Sequence, residues 1–298
     1  MSSVSLKSNT DAQVGRKARP PFVLKWIVLH AVAIVLSIIL MIPIAWALIS
    51  SIKPTFEIRK VPPVFWPSEF LWQTYPEVWN HPMFPLWAQN TFYISLLATL
   101  GIVMSAALAG YAFARFRFPG RNVLFAITLS TIMLPESVRL IPTFLLFHQI
   151  GWLNTHLPLI VPYFFGGGAF FIFLFRQFFL TIPIDMDEAA KIDGANYVQI
   201  LFMIVMPLSL PVMATVGIIA FISNYNSFLF PLIVLNDAGK FTLPIGLRYF
   251  SIGPETDAIP KDNLLLAMSI LMTVPILLLF FVGQRYFVQG VVMSGIKG

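Results

Sequence analysis

One short segment, residues 183–207, places acidic and small residues at helical spacing between long apolar stretches. Asp185 and Glu188 have the spacing of a capping box, and acids in a first helical turn suit the positive end of the helix dipole. Gly194 would end this helix with a left-handed turn, and residues 196–205 would form a second, amphipathic helix. The pattern predicts a helix–turn–helix across one face of the protein. Taken alone, it is equally typical of an ordinary interfacial loop.

A second group of polar residues lies inside apolar stretches. Arg139 follows Glu136 in a segment that is otherwise hydrophobic, and residues 224–227 read Asn-Tyr-Asn-Ser. Ionisable groups at membrane depth are costly, and they tend to face a cavity or a partner. Amides and hydroxyls suit recognition of a sugar, but they equally make hydrogen bonds between helices. Arg139 could also pair with Glu136 or extend outward, so a binding role is one of three interpretations.

Catalytic and metal chemistry are not indicated. The chain has no cysteine, and its four histidines show no metal-ligand spacing. No Ser/His/Asp set is apparent, and the sequence has no Gly-x-x-x-x-Gly-Lys-Ser/Thr phosphate loop. We expect no catalytic residue, no metal and no cofactor bound by this chain.

The composition predicts a protein dissolved in lipid. Of 298 residues, 58% are hydrophobic and 11% are charged, whereas soluble domains carry about 25% charged residues. The mean hydropathy is +0.82. The formal charge of +6 is dispersed along the chain, so it does not suggest binding of nucleic acid. We expect an all-α integral membrane protein that contacts lipid.

The apolar stretches predict six membrane spans, since a spanning helix needs about 20 apolar residues. The third is broken near Pro135, and the fourth contains three consecutive glycines. The predicted spans are residues 26–52, 87–114, 122–149, 157–175, 208–235 and 263–283. Two long external segments follow from this count, an interfacial cap over 53–86 and a loop with a short helix over 236–262.

The basic residues predict the orientation, because Lys and Arg collect on the cytoplasmic side of membrane proteins. Most of the 19 fall beside the two termini, the loop after the second span and the loop after the fourth span. We therefore expect a multi-pass membrane protein with both termini cytoplasmic. Residues 1–21 would form a mobile basic tail, and residues 22–298 one transmembrane domain that ends in a cytoplasmic tail, 288–298.

The segment 183–207 resembles the coupling loop of binding-protein-dependent ATP-binding-cassette importers. Their pattern is matched in order and spacing by Glu188-Ala189-Ala190, Gly194, Ile204 and Pro207, with Met206 in place of the usual Leu. In that family the loop docks on a separate ATPase subunit. The resemblance implies the type I importer permease fold in the bacterial cytoplasmic (inner) membrane, with ATP and Mg bound by the partner. The residues implied in coupling are Glu188, Ala189, Ala190, Asp193, Gly194 and, in the C-terminal tail, Lys297.

Four further blocks are similar to the maltose-type (MalG-like) sugar permeases: residues 108–115, 150–155, 230–235 and 284–298. Two positions depart from that pattern. Relatives commonly have Trp-Asn-Asp where this chain has Tyr225-Asn226-Ser227, and an uncharged residue at Arg139. Loss of an acid and gain of a base would suit an anionic ligand. We therefore hypothesise an acidic oligosaccharide of the alginate type, with Arg139, Asn224, Tyr225, Asn226 and Ser227 in its path.

The resemblance also implies the partners and the mechanism. A second, paralogous permease would complete the path, an extracytoplasmic solute-binding protein would deliver substrate, and an ATPase homodimer would drive alternating access. The main alternative is an ion-coupled secondary transporter, which usually has buried acidic ion ligands. Glu136 is the only acid inside a predicted span. A membrane enzyme lacks a catalytic set here, and exporters typically fuse their ATPase to the spans.

Overall fold

The structure is a computed structural model that describes residues 22–252 and 261–295. The basic tail 1–21 and Lys297 lie outside the described residues. In the part described, all regular secondary structure is helical. The first helices are α1 (Phe22–Ser51), α2 (Thr55–Ile58), α3 (Thr74–Trp79), α4 (Phe84–Arg115), α5 (Arg121–Ser130), α6 (Glu136–Gln149), α7 (Leu157–Ile160) and α8 (Ala169–Phe179).

The remaining helices run from the polar segment to the C-terminus. They are α9 (Ile184–Ile192), α10 (Tyr197–Ile200), α11 (Met206–Leu208), α12 (Leu210–Tyr225), α13 (Leu229–Val234), α14 (Leu243–Ile252) and α15 (Asp262–Gly295). A π-helical turn, Leu201–Val205, joins α10 to α11. Short 3-10 turns follow α5, α7 and α13.

Among the described residues, four helical segments are long and apolar enough to cross a membrane. They are Lys25–Ser51, Phe84–Arg115, Leu157–Phe179 and Asp262–Gln284. The number is six if each of two bent pairs is one span: Arg121–Met133 with Glu136–Gln149, bent by 100°, and Tyr197–Leu208 with Leu210–Tyr225, bent by 81°. The second pair differs from the predicted fifth span, 208–235, because it begins inside the segment 183–207 and α12 ends at Tyr225. The break expected near Pro135 is present, because Pro135 has extended backbone angles and ends the first half.

The sixth predicted span, residues 263–283, agrees with the apolar segment Asp262–Gln284. The helix that contains it, α15, continues without a break from Asp262 to Gly295. Pro275 lies inside it, and no glycine or proline cluster interrupts the chain after it. The helix therefore extends past the apolar stretch that defined the span.

The chain divides into two compact units, residues 1–47 and 48–298. Within the first, the described part of α1 presents apolar side chains to its surroundings, as a lipid-soluble helix does. In the second, α4 contacts α8 and α12 along most of its length. Gly110 permits one close approach, because a Cβ there would lie 2.7 Å from the Cβ of Phe175.

Two buried clusters form the core of unit 48–298. One, around Tyr111, Phe175 and Val205, joins α4, α8 and α12 to the polar segment. The other, around Trp87 and Met268, joins α4, α14 and α15. In the second cluster, Trp87 also makes a hydrogen bond, because its Nε1 donates to the carbonyl of Ala238 at 2.8 Å. The two clusters lie along the same central helix, α4.

The two segments predicted to be external differ in outcome. Residues 53–86 were expected to be partly extended but contain the short helices α2 and α3, whereas 236–262 contains the expected short helix, α14. In the first, Lys53 donates to the carbonyl of Val64, and Glu57 accepts a hydrogen bond from the Ser68 N–H at 3.1 Å. In the second, the Asn154 side-chain oxygen accepts from the N–H groups of Asn236 and Asp237, both at 3.1 Å. These contacts fix the loops to the ends of the helices.

Candidate functional site

The polar segment forms the expected helix–turn–helix, but its first helix starts differently. Pro183 occupies the N-cap of α9, and no side chain caps the helix. The predicted capping box of Asp185 and Glu188 is therefore wrong, because the proline starts the helix two residues earlier and puts Asp185 inside the first turn. Asp185 and Asp187 still lie near the positive end of the helix dipole.

The capping box belongs to the second helix. Asn196 caps α10, and its side-chain oxygen accepts from the Gln199 N–H at 2.9 Å. The Gln199 side chain accepts in return from the Asn196 N–H at 2.8 Å. Asn196-Tyr197-Val198-Gln199 has the sequence signature of this motif, so the signal was available in the sequence and was missed.

The turn between the helices is a Schellman motif, and Gly194 makes it possible. Gly194 has φ of +87°, in the left-handed region that favours glycine. The Ala195 N–H donates to the Ala190 carbonyl at 2.9 Å, and the Gly194 N–H donates to the Lys191 carbonyl at 3.0 Å. Asp193 occupies the C-cap. Both helices are thus held at a fixed angle by backbone contacts.

Helix α9 has an outer face and an inner face. Glu188, Ala189 and Ile192 are exposed, and Ile192 has 87% of its surface exposed. Asp187 and Ala190 are buried on the opposite side, and Ala190 belongs to the core cluster of unit 48–298. The small side chain of Ala190 therefore allows close packing against other helices of this chain. The outer face carries a large apolar residue in open contact with its surroundings.

A buried ion pair attaches the inner face to the end of α4. The Nε atom of Arg115 lies 3.0 Å from Oδ2 of Asp187. Arg115 also donates through Nη2 to the carbonyl of Ile182 at 3.0 Å, just before α9. Arg115 is one of the basic residues that predict the orientation, and Asp187 is one of the acids of the first helical turn, but their pairing was missed. No local pattern could have revealed it, since 72 positions separate the two residues in the chain.

Aromatic contacts attach the second helix to the same place. The ring of Tyr197 in α10 meets that of Phe116 edge-on, with centroids 4.9 Å apart. Phe116 contacts Tyr111, which in turn contacts Phe179 of α8. The Lys191 ammonium lies 4.8 Å from the centroid of the Tyr197 ring. Together these contacts make the helix–turn–helix a rigid extension of α4 and α8.

The broken third span places Glu136 and Arg139 in the first turn of α6. Both side chains are exposed. Among the described residues, no ion pair joins them, so the interpretation of Arg139 as a partner of Glu136 is not supported. The guanidinium is thus free to meet a ligand or a partner chain.

The polar residues at the end of α12 mostly bond to their own helix. Asn224 and Asn226 donate to the carbonyls of Ala220 and Ile222, at 2.8 and 2.9 Å. Tyr225 is buried, and its hydroxyl donates to the Met272 carbonyl of α15 at 3.1 Å. Asn226 is exposed and Ser227 is half-buried. The described contacts include no hydrogen bond between Arg139 and any of these residues, so the two groups are not brought into direct contact.

The described residues contain no group of three or more His, Asp or Glu side chains that could hold a metal ion. The candidate site consists of the exposed residues of α9 and α10 and the exposed polar groups on α6 and α12. Such an arrangement can transmit motion and contact a ligand.

Comparison with known proteins matches residues 101–293 to a family described as "Binding-protein-dependent transport system inner membrane component". The chain is 32% identical to the arabinooligosaccharides transport system permease AraQ of Halalkalibacterium halodurans, over 95% of this chain and 99% of that protein. It is also 32% identical to the sn-glycerol-3-phosphate transport permease UgpE of Yersinia enterocolitica, over 89% and 95%.

Among solved structures, the chain is similar to one from a bacterial ABC transporter involved in import of the acidic polysaccharide alginate. The TM-score is 0.78 at 23% sequence identity, over 89% of this chain and 96% of that chain. At this identity the likeness concerns the fold. It confirms the all-α architecture expected of a type I importer permease.

Proposed function

Because the chain belongs to the family of binding-protein-dependent transport system inner membrane components, we propose that it forms, with a second permease, the path for an imported oligosaccharide. It is a transport subunit of the inner membrane, and ATP hydrolysis belongs to a separate subunit. ATP and its Mg ion would be bound there, by an ATPase homodimer. A solute-binding protein would deliver the substrate to the external segments.

The observation that carries this proposal is the two-faced helix α9. Its inner face is fixed to α4 by Arg115 and Asp187. Its outer face leaves Ile192 exposed beside Glu188 and Ala189. This face is accessible to another protein, and its acidic and apolar side chains can both contact a partner. A groove on the ATPase is the partner that the family resemblance implies for this face.

Force would then pass from the ATPase into the spans as a rigid-body motion. The Schellman turn fixes α10 to α9, and the Phe116–Tyr197 contact fixes α10 to the end of α4. A displacement of the loop therefore displaces α4 and, through its long contact, α8. Glu188 and Asp193 would supply polar contacts to the ATPase, and Lys297 would add one from the C-terminal tail.

For the substrate we favour an acidic oligosaccharide of the alginate type. Arg139 is exposed at a break in a span and is not paired with Glu136. A guanidinium in such a position can bind a carboxylate through two hydrogen bonds. Asn226 and Ser227 are accessible for hydroxyl groups of a sugar. Asn224 and the buried Tyr225, which were expected in the path, would support these two residues from behind. UgpE and the alginate transporter are both named for anionic substrates.

A neutral oligosaccharide is the second candidate, because the relative AraQ is named for arabinooligosaccharides. In that case Arg139 would contact the partner permease, and the path would recognise hydroxyl groups alone.

Both termini would be cytoplasmic, on the side of α9. The domain organisation follows: a basic tail over 1–21, the transmembrane domain over 22–298 with its coupling loop about 183–207, and the cytoplasmic end over 288–298. A cysteine placed in the tail, which would react only from the cytoplasmic side of sealed vesicles, tests the orientation.

The function is tested by reconstituting the complete transporter in proteoliposomes and measuring ATP-driven uptake of alginate oligosaccharides, arabinooligosaccharides and sn-glycerol-3-phosphate. We expect uptake that requires both the ATPase and the binding protein. Glu188→Lys and Ala189→Trp should separate hydrolysis from uptake, whereas Asp185→Asn, an exposed change on the same helix, should not. Uptake without any ATPase subunit would support a secondary transporter and contradict the proposal.

The substrate is tested in the same vesicles with Arg139→Gln. If the ligand is acidic, this change should reduce uronate uptake at least tenfold, since a bidentate charged contact contributes about 1.5–3 kcal/mol. Unchanged uronate uptake would exclude a role of Arg139 in substrate binding.

A further inference from the structure

A cavity of about 430 Å³ lies between the end of α4 and the start of α5. Its volume is in the range of small-ligand sites. It is lined by Arg117, Phe118, Gly120, Arg121, Asn122 and Val123. Arg115, two residues before this lining, contacts Asp187, so the cavity lies at the same end of unit 48–298 as α9.

The cavity has positive charge without a carboxylate to balance it. Arg117 is exposed and has no hydrogen bond or ion pair in the described part of the chain. Arg121 donates to the Phe116 carbonyl at 3.2 Å and to the Asn122 side chain at 3.4 Å, both neutral acceptors. A bound anion would supply the balancing charge.

The side of the cavity towards α5 is apolar. Val123, Leu124 and Ile127 of that helix are exposed, with 63%, 50% and 57% of their surfaces accessible. Exposed apolar side chains on a helix of a bent span are suited to contact with acyl chains. The arginines therefore lie at the end of this exposed apolar surface, as basic residues do beside lipid headgroups. This neighbourhood favours a lipid over a free anion, which has no use for the apolar side.

We propose that this cavity binds the phosphate of an anionic phospholipid. Arg117 and Arg121 contact the headgroup, and the acyl chains lie along the exposed face of α5. Arginine at a membrane surface is attracted to anionic lipid by about fivefold in affinity per residue. The inference rests on the proposed function in one respect, that this end of the unit is at the cytoplasmic membrane surface.

The test uses the complete transporter in detergent. Native mass spectrometry measures retention of phosphatidylglycerol against phosphatidylcholine, with inorganic phosphate as a competitor. The wild-type complex should retain phosphatidylglycerol preferentially, and R117Q/R121Q should bind it roughly 25-fold more weakly. The matched control K60Q/R248Q removes two exposed cations elsewhere in the same unit and should retain the lipid.

Three results would overturn the proposal. Equal loss in K60Q/R248Q would mean that overall charge, and no particular site, attracts the lipid. Displacement by inorganic phosphate would indicate a free-anion site. Normal lipid retention by R117Q/R121Q together with a lost ATPase subunit would make this surface a protein contact. ATP-driven uptake is measured separately, so lipid retention as expected in a complex that does not transport would contradict the proposed function alone.

Discussion

The Nε atom of Arg115 lies 3.0 Å from Oδ2 of Asp187, and the two side chains are only 5% and 2% exposed. Arg115 is the last residue of α4 and Asp187 lies in the first turn of α9. The pair therefore joins a membrane-spanning helix to the surface helix that we propose as the ATPase contact. Removing one partner of a buried pair leaves an uncompensated charge, which typically costs about 3–5 kcal/mol.

Asp187→Asn should lower the melting temperature of the complex and reduce the amount of sugar imported per ATP hydrolysed. The reason is that Arg115 then loses its anionic partner while Glu188 and Ile192 are untouched. Thermal melting and the ratio of hydrolysis to uptake measure the two effects. Asp185→Asn, on the exposed side of the same turn, is the matched control and should leave both unchanged. Wild-type melting and coupling in Asp187→Asn would show that the pair does not position α9.

Ile192→Asp should weaken association of the ATPase by about tenfold or more, because burying an isoleucine contributes roughly 1.5–3 kcal/mol. The side chain is exposed in this chain, so the isolated permease should keep its melting temperature. Co-purification of the ATPase gives the association. Ile192→Leu, which keeps the volume, should bind normally, and equal binding by Ile192→Asp would place the contact elsewhere.

Gly194→Ala should destabilise the turn by about 1–2 kcal/mol, since the left-handed backbone at φ +87° opposes a Cβ. Gly194→Asn should cost less, because asparagine tolerates this conformation. Hydrogen exchange of the α10 amides reports the change directly. Gly166→Ala is the control, because its Cβ would meet open space and its φ is not in the left-handed region. Equal exchange in Gly194→Ala and wild type would contradict the role of the turn.

Gly110→Ala should destabilise the contact between α4 and α8 by about 1–3 kcal/mol. A Cβ there would lie 2.7 Å from the Phe175 Cβ and 3.0 Å from the Arg176 nitrogen, so backbone must shift. The melting temperature should fall. Gly217→Ala, with nothing within 4 Å, should match or exceed the stability of wild type. A wild-type melting temperature in Gly110→Ala would mean that the two helices separate easily.

The external cap should loosen in acid. Hydrogen bonds from Ser68 lower the pKa of the Glu57 carboxyl below its usual value. A carboxyl with a lowered pKa in the folded state stabilises the fold above its unfolded pKa, about 4.3, and this contribution is lost as the pH falls through the folded pKa. Proteolysis of the 53–68 segment should therefore increase below about pH 4. Glu57→Gln should abolish the pH dependence, and cleavage that is independent of pH in wild type would contradict it.

Much of this architecture could be predicted from local sequence. Apolar length located the spanning helices, and Pro135 located the break in the third span. Gly194 predicted the turn, because few other residues adopt its backbone conformation. These features depend on residues that are close together in the chain. Their conformational preferences act whatever the tertiary fold is.

The rest depends on which parts of the chain meet. Arg115 and Asp187 each have an ordinary local explanation, and only the fold makes them partners. The capping box was assigned to Asp185 because this residue is one of several acids that could cap the helix. The helix start is instead determined by Pro183, which occupies the N-cap. The true box at Asn196 was overlooked beside the stronger charges. No sequence signal predicted the extension of α15 to Gly295, because hydropathy indicates where the apolar span ends and does not indicate where the helix ends.

The division of α9 into two faces lets its residues change independently. Substitutions at Glu188, Ala189 and Ile192 change the exposed surface of the helix and leave its packing against the other helices intact. Substitutions at Asp187 and Ala190 do the reverse. If α9 contacts an ATPase as proposed, its outer face could evolve to fit a different ATPase while the residues that pack against α4 stay the same.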